Sequence, residues 1–241
     1  MEQTIFGKPT RQQLAAQNNA DLYKHMFKAH GIAFEVSKGL FQCTVQPLPF
    51  YSSIVTLNPA TSPDPINKLA GSAHFDLYVK DSFADLPLAN SGFLQLFDAN
   101  WFRFDERGDV NTTGWEKVAT PSQLKHWEAA WKDGGNQTAQ TMFPSNLLDD
   151  TEITFWGYKQ AGSYTKGFIG NDCGHATGLS NVFANTLCPH TYHEMAQLLQ
   201  TWRPQKPVVG YTRGQALEHA LQAGFESTGD LRVWLKPVSP S

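Results

Sequence analysis

The sequence is poor in the features that mark several large classes of protein. It has three cysteines in 241 residues, and an odd number in a chain of this length argues against a disulfide framework. No apolar run reaches the roughly 18 residues that a membrane helix needs. The first residues also do not follow the basic-then-apolar pattern of a signal peptide. We therefore expect a cytoplasmic protein that does not enter a membrane.

An excess of basic residues is missing as well. Lysine and arginine number 19 against 22 acidic residues, and the net charge is −3. The basic residues are dispersed, so the sequence does not predict a basic patch that would bind nucleic acid. With 41% hydrophobic and 12% aromatic residues, the chain can bury one large core or two of ordinary size. We expect a monomer or homodimer that acts on a small-molecule substrate.

Metal-binding and nucleophile motifs are also scarce. Five potential zinc ligands occur in two groups, namely Cys173 and His175, then Cys188, His190 and His193. A predicted strand over 176–184 separates the groups by roughly 25–30 Å, so one zinc ion cannot reach both. No serine or cysteine lies in a known nucleophile motif. We expect no metal site, although a zinc protein remains a minor alternative.

The chain does contain an internal repeat. Residues 74–101 and 207–234 share one plan: an apolar strand, a helical piece, a Gly-Phe pair and a long strand that carries a tryptophan. Gly92-Phe93 aligns with Gly224-Phe225. The polar stretch 105–114 is rich in turn residues and is predicted to link two halves, 1–108 and 109–241. An internal duplication explains this pattern better than chance similarity of two amphipathic segments.

The second half has the element order of a known superfamily. We predict a strand over 176–184, a helix over 191–202, a strand over 208–211, a helix over 215–221 and a final strand over 226–235. This order, with the segments GLSNVFA (178–184), VVGYTRG (208–214) and ALEHALQAGF (216–225), resembles the GCN5-related N-acetyltransferase (GNAT) superfamily.

The resemblance is weaker in the first half, where SSIVTLN (52–58) echoes the strand at 178–184. It implies an α+β, three-layer fold whose mixed, mostly antiparallel sheet is flanked by helices. It also implies two tandem units, of which the first is degenerate.

The resemblance further implies an acyl-CoA-dependent N-acyltransferase that uses acetyl-CoA or another acyl-CoA. The pantetheine arm would add to the strand before the crossover helix like an extra β-strand. The pyrophosphate would meet free N–H groups at the start of that helix. The implied contact residues are Asn181, Val182, Phe183, Ala184, Asn185, His190 and Thr191.

Two departures from the superfamily pattern weaken the catalytic prediction. The phosphate-binding segment contains no glycine here, and Pro189 removes one N–H donor. The tyrosine that often acts as the acid, four residues before the Gly-Phe pair, is Ala220 in this chain. Tyr211 and His219 are the replacement acids that the sequence offers. A non-catalytic protein that binds CoA or another small molecule is therefore the alternative function.

Overall fold

One mixed sheet dominates the computed structural model, which describes residues 8–106, 108 and 113–238. The helices are α1 (Arg11–Ala29), α2 (Asp64–Ala70), α3 (Pro121–Asp133), α4 (Pro189–Trp202) and α5 (Gln215–Gln222). The first strands are β1 (Glu35–Ser37), β2 (Leu40–Gln42), β3 (Ile54–Thr56), β4 (Leu77–Asp81) and β5 (Leu94–Phe104). The others are β6 (Trp115–Lys117), β7 (Ile153–Gln160), β8 (Ser163–Asp172), β9 (Thr177–Ala184), β10 (Val208–Thr212) and β11 (Glu226–Lys236).

Two of the helices begin at threonine caps that are visible in the sequence. Thr10 precedes α1 and Thr120 precedes α3, and each forms a reciprocal capping box with the glutamine three residues later. Such a box satisfies N–H groups that the first helical turn leaves free. Among the described helices, none has the length and apolar character needed to cross a bilayer.

The described strands form one sheet in the order β1-β2-β3-β4-β11-β5-β10-β9-β8-β7-β6. The β3–β4 and β10–β9 pairs are parallel, and the others are antiparallel. The predicted α+β class and the mixed, mostly antiparallel sheet are thus confirmed. The parallel β9–β10 pair requires a crossover, which α4 provides.

The two halves of the chain exchange their last strands at the centre of this sheet. Strand β5 lies between β10 and β11, whereas β11 lies between β5 and β4. In the β5–β11 ladder Leu94 faces Leu235 and Arg103 faces Glu226. An offset of 132 residues, at which the predicted repeats align, converts each of these two pairs into the other. Half of the linker predicted at 105–114 lies outside the described residues.

The prediction of a helix between the strand and the Gly-Phe pair of the first repeat is wrong. In its place Ala84 adopts a left-handed conformation with φ of 52°, and a single 3-10 turn spans Leu88–Ser91. The Asp81 carboxylate accepts hydrogen bonds from the N–H groups of Asp85 and Leu86. The residues that would form the helix are part of this hydrogen-bonded turn, and Pro87 would interrupt a helix that continued beyond it.

Candidate functional site

Strands β9 and β10 diverge near the middle of the sheet. They pair only at Thr177–Val208 and Gly178–Val209. Beyond these pairs each strand is bonded on its outer side, β9 to β8 and β10 to β5. The inner backbone N–H and C=O groups that follow are therefore free of sheet partners. This arrangement can accept an extended polar chain between the two strands.

A β-bulge in β9 widens the gap. Asn181 and Val182 together face the single residue Phe168 of β8, and Asn181 has a φ of 50°. Asparagine tolerates this left-handed conformation better than most residues. The bulge bends β9 a short distance beyond Gly178, the last residue that pairs with β10.

A cavity of about 370 Å³ fills this gap, and we call it the β9–β10 cleft. Helix α1 covers one side of the cleft, to which Ala15, Asn18, Asn19, Leu22 and Tyr23 contribute. Leu187 and Tyr192 extend the lining to the first turn of α4, and Thr212 and Arg213 form part of the opposite wall. The volume lies within the usual range for small-molecule sites.

The predicted strand contacts divide between two sides of β9. Asn181 and Val182 line the cleft. The Phe183 side chain instead packs against Trp127, with ring centroids 5.1 Å apart, because successive residues of a strand point to opposite faces. Ala184 pairs with Lys166 of β8, and the Asn185 N–H donates to the Thr165 carbonyl at 2.9 Å.

The residues predicted at the start of α4 adjoin a cysteine cap. Cys188 is the N-cap residue, and its Sγ lies 3.3 Å from Oγ1 of the buried Thr191. The His190 side chain is 78% exposed, with Nε2 3.5 Å from a Glu194 carboxylate oxygen. None of these three residues lines the β9–β10 cleft as the structure describes it.

The start of α4 favours a negative charge. The Thr191 hydroxyl holds the pKa of the Cys188 thiol below its ordinary value, and burial opposes this effect. The backbone N–H groups of Thr191 and His190 and the charge of Lys166 add to the lowering. Lys166 reaches this site from β8 and also pairs with Glu194 at 3.2 Å. The sequence of 185–191 contains no lysine or arginine, so this cation could not be predicted from the segment itself.

Of the two predicted acids, the structure places only Tyr211 in the cleft wall. Its ring packs edge-on against Trp101, with centroids 5.3 Å apart. His219 lies on α5, half-buried, and its Nδ1 has no hydrogen-bond partner among the described residues. It does not line the β9–β10 cleft.

Sequence reasoning missed a tyrosine and a lysine beside the cleft. Tyr23 of α1 lines the cleft, and its hydroxyl oxygen accepts hydrogen bonds from Lys80 Nζ at 3.0 Å and from the Ser52 N–H at 3.3 Å. The tyrosine and the lysine stand 57 positions apart. No local motif links them, since only the packing of α1 on the sheet brings them together.

Burial changes the acidity of two further tyrosines at the cleft. It raises the pKa of Tyr51 above the ordinary range, and the Asn181 side chain partly opposes the change. It also raises the pKa of Tyr192, against a smaller effect of Thr212. Both phenols therefore stay protonated at neutral pH, so they contribute no negative charge to the cleft.

One group among the described residues has the composition of a metal site. His25, Asp150 and Glu152 place their ligand atoms within 4.8 Å of one another. The His25 Nδ1 already contacts Asp150 at 2.6 Å, and its Nε2 lies 3.4 Å from Glu152. Both ring nitrogens thus face carboxylates, an arrangement that ties α1 to the loop before β7.

Comparison with known proteins identifies the fold. No protein-family model matches the sequence, and no curated protein matches it either. A GCN5-related N-acetyltransferase from Kribbella flavida superposes with a TM-score of 0.61 at 11% identity, over 94% of this chain and 96% of that one. A GCN5-related N-acetyltransferase from Sphaerobacter thermophilus gives 0.55 at 11% identity, over 95% and 94%.

A more distant similarity extends to a longer enzyme. Saccharomyces cerevisiae N-myristoyltransferase, solved with bound myristoyl-CoA, gives a TM-score of 0.51 at 9% identity, over 76% of this chain and 58% of that one. The chain therefore has the GNAT fold, as the resemblance in its sequence implied.

Proposed function

We propose that the chain is an acyl-CoA-dependent N-acyltransferase whose thioester substrate lies in the β9–β10 cleft. The observation that carries the proposal is the divergence of β9 and β10 at the Asn181 bulge. It leaves backbone groups free beside a cavity of about 370 Å³. The two bacterial structures described above carry the name of N-acetyltransferases, and the yeast N-myristoyltransferase was solved with bound myristoyl-CoA.

The residues around the cleft fit the two ends of such a ligand. The inner edges of β9 and β10, near Val182 and Thr212, can hydrogen-bond the amides of a pantetheine arm. The first turn of α4, whose backbone N–H groups favour a negative charge and which lies near Lys166, suits a phosphate. The segment 185–191 contains no glycine, so we expect the phosphates to bind less tightly than in a glycine-rich loop.

Acyl transfer needs a proton acceptor and a proton donor. The amine nitrogen attacks the thioester carbonyl carbon, a C–N bond forms, the C–S bond breaks, and the nitrogen loses a proton to water or a base. The departing thiolate must gain a proton. Tyr23 fits this donor role because its oxygen already accepts two hydrogen bonds, which leaves its own hydrogen free to point into the cleft. Tyr211, the acid predicted from the sequence, is the competing donor in the same cleft.

The alternative function is a non-catalytic protein that binds CoA or another small molecule. The replacement of the usual tyrosine by the fully buried Ala220 favours it. Both functions predict binding in the cleft, and only the first predicts release of free CoA.

Calorimetric titration with acetyl-CoA tests the binding step. We expect binding to the native chain and its loss in Ala216→Phe, because Ala216 lines the cleft and the larger ring fills it. Ala129→Phe is the matched control, since Ala129 lies exposed on α3. Absence of binding at millimolar acetyl-CoA would overturn the transferase and leave only a protein that binds another small molecule. Binding without thiol release across a panel of amines would leave only the non-catalytic one.

A further inference from the structure

A second cavity adjoins the β9–β10 cleft. It has a volume of about 510 Å³, and we call it the Lys80 pocket. Four residues line both cavities, namely Phe50, Tyr51, Phe97 and Tyr211. The two spaces therefore share one aromatic wall. The pocket also borders on Leu48, Tyr78 and Val233, so most of its surface is apolar or aromatic.

Lys80 places a buried positive charge at this pocket. Its side chain belongs to the lining, although the residue is only 2% exposed. The ammonium donates to Asn19 Oδ1 at 2.8 Å and to the Tyr23 hydroxyl at 3.0 Å. It also lies 4.2 Å from the centre of the Tyr211 ring. All of these partners are formally neutral.

No carboxylate among the described residues pairs with this lysine. Its neighbour Asp81 cannot do so, because adjacent residues of a strand point to opposite faces. The Asp81 carboxylate instead accepts N–H groups from Leu86 and from the Trp234 indole. Burial opposes the charge of Lys80, but the interactions with Tyr211 and Tyr23 outweigh it and leave the pKa above the ordinary lysine value. The pocket therefore holds an ammonium whose charge nothing in the described chain neutralises.

A buried charge is costly unless an opposite charge or several hydrogen bonds compensate for it. We propose that the Lys80 pocket binds a small carboxylate with an apolar or aromatic body, and that the Lys80 ammonium pairs with the carboxylate. The aromatic wall would contact the body of the ligand. Where the proposed acyl transfer holds, the acceptor is an amino acid with an apolar side chain, and its amine reaches the thioester carbon at the boundary that the two cavities share.

Three probes of one size and different charge test the pocket directly. They are 3-phenylpropionate, its neutral amide and 3-phenylpropylamine, each titrated into the full native chain. We expect the carboxylate to bind about tenfold more tightly than the amide, because hydrogen bonds between charged groups are stronger than neutral ones. We expect the amine to bind most weakly. Equal binding of carboxylate and amide, or tighter binding of the amine, would overturn the proposal without the need for any variant.

Two variants test whether the preference for the carboxylate arises from Lys80 and the lining of its pocket. In Lys80→Met the preference for the carboxylate over the amide should fall to within about twofold. Leu96→Glu adds a negative charge to the pocket lining at a site 43% exposed, so it should weaken carboxylate binding with the fold intact. Leu221→Glu is its control, since Leu221 is 42% exposed on α5 and lines neither cavity. A carboxylate preference that persists in both Lys80→Met and Leu96→Glu would contradict the assignment.

The prediction of an amino-acid acceptor rests on the proposed function. Its failure can be distinguished from a failure of the proposed function itself. With acetyl-CoA, phenylalanine should release CoA at least tenfold faster than phenylalaninamide or phenethylamine. Equal rates for the three amines would overturn the carboxylate site and leave acyl transfer intact. Carboxylate binding without CoA release from any amine would overturn the transferase and support the pocket alone.

Discussion

The Lys80 ammonium and the Tyr23 hydroxyl lie 3.0 Å apart at the boundary between the two cavities. Lys80 lines the pocket and Tyr23 lines the β9–β10 cleft. A positive charge at this distance would interact favourably with the negative charge that Tyr23 carries after it gives up a proton. The pair thus joins the proposed carboxylate site to the proposed proton donor.

We expect Tyr23→Phe to lower the rate of acyl transfer by about 100-fold, the lower end of the range for loss of a general acid. The KM for acyl-CoA should change little, because the ring that lines the cleft remains. Tyr158→Phe is the matched control, since Tyr158 lies in β7 and lines neither cavity. If Tyr211→Phe causes the larger loss and Tyr23→Phe causes none, the acid is the tyrosine that the sequence suggested.

Two cysteines should react at very different rates. The pKa of the Cys188 thiol is lowered, mainly by the Thr191 hydroxyl, whereas burial raises that of Cys43. Because the thiolate is the reactive form, iodoacetamide at pH 7 should alkylate Cys188 well before Cys43. Mass spectrometry of the digested protein measures both rates, and equal rates would contradict this prediction.

A pair of variants tests the cause of this reactivity. Thr191→Val should slow alkylation of Cys188 several-fold, because the largest effect on its pKa is lost. Thr201→Val changes a threonine on the same helix, whose hydroxyl donates to the Gln197 carbonyl, and should leave the rate unchanged. Coenzyme A should protect Cys188 if its phosphates occupy the first turn of α4.

The sequence predicted the elements of the fold better than the site. The strand predicted over 176–184 and the helices predicted over 191–202 and 215–221 follow from local patterns and match β9, α4 and α5 closely. The partners of β5 and β11 do not, because strand exchange depends on pairing between segments more than 100 residues apart. For the same reason the sequence indicated Asn181 and Tyr211 but not Tyr23 or Lys80, whose roles arise only from tertiary packing.

Gly178 is expected to tolerate no side chain. A Cβ atom there would collide with the Oδ1 atoms of Asn171 and Asn18. These asparagines join α1 to β8, since Asn171 Nδ2 donates to the Asn18 carbonyl at 3.0 Å. Gly178→Ala should lower the free energy of unfolding by about 1–3 kcal/mol, the usual cost of overpacking.

Gly71→Ala provides the control for this substitution. The nearest atoms to a Cβ at Gly71 lie 3.6 Å away, and its φ of −71° suits alanine. Urea denaturation of both variants, followed by tryptophan fluorescence, should show a loss only for Gly178→Ala. Equal midpoints for the two variants would show that the asparagines move aside without cost.

Asp172 should make a pH-dependent contribution to stability. Burial opposes its charge, but hydrogen bonds from Lys206, the Gly174 N–H and Arg203 outweigh this effect, so its pKa is lowered. A lowered pKa in the folded state stabilises the fold above the ordinary value of 3.8. This stability is lost as the pH falls through the lowered value.

Asp172→Asn should therefore cost about 1–3 kcal/mol at pH 7, the scale of hydrogen bonds to a charged group. The difference from the native chain should shrink steadily below pH 3.8. Asp105→Asn is the control, because Asp105 is half exposed and Arg103 is its ion-pair partner among the described residues; exposed pairs of this kind contribute little. A cost for Asp172→Asn that does not change between pH 7 and pH 3 would contradict the electrostatic explanation.

The exchanged strands predict that neither half of the chain folds alone. Residues 1–108 without β11 would leave β4 and β5 unpaired along their facing edges, and residues 109–241 without β5 would separate β10 from β11. Such edges expose backbone groups and promote aggregation. Each half produced separately should lack cooperative unfolding, whereas refolding the two together should give a one-to-one complex that binds acetyl-CoA. Cooperative unfolding of 109–241 alone would mean that β11 can pair with β10 directly, and the two repeats would then be independent domains.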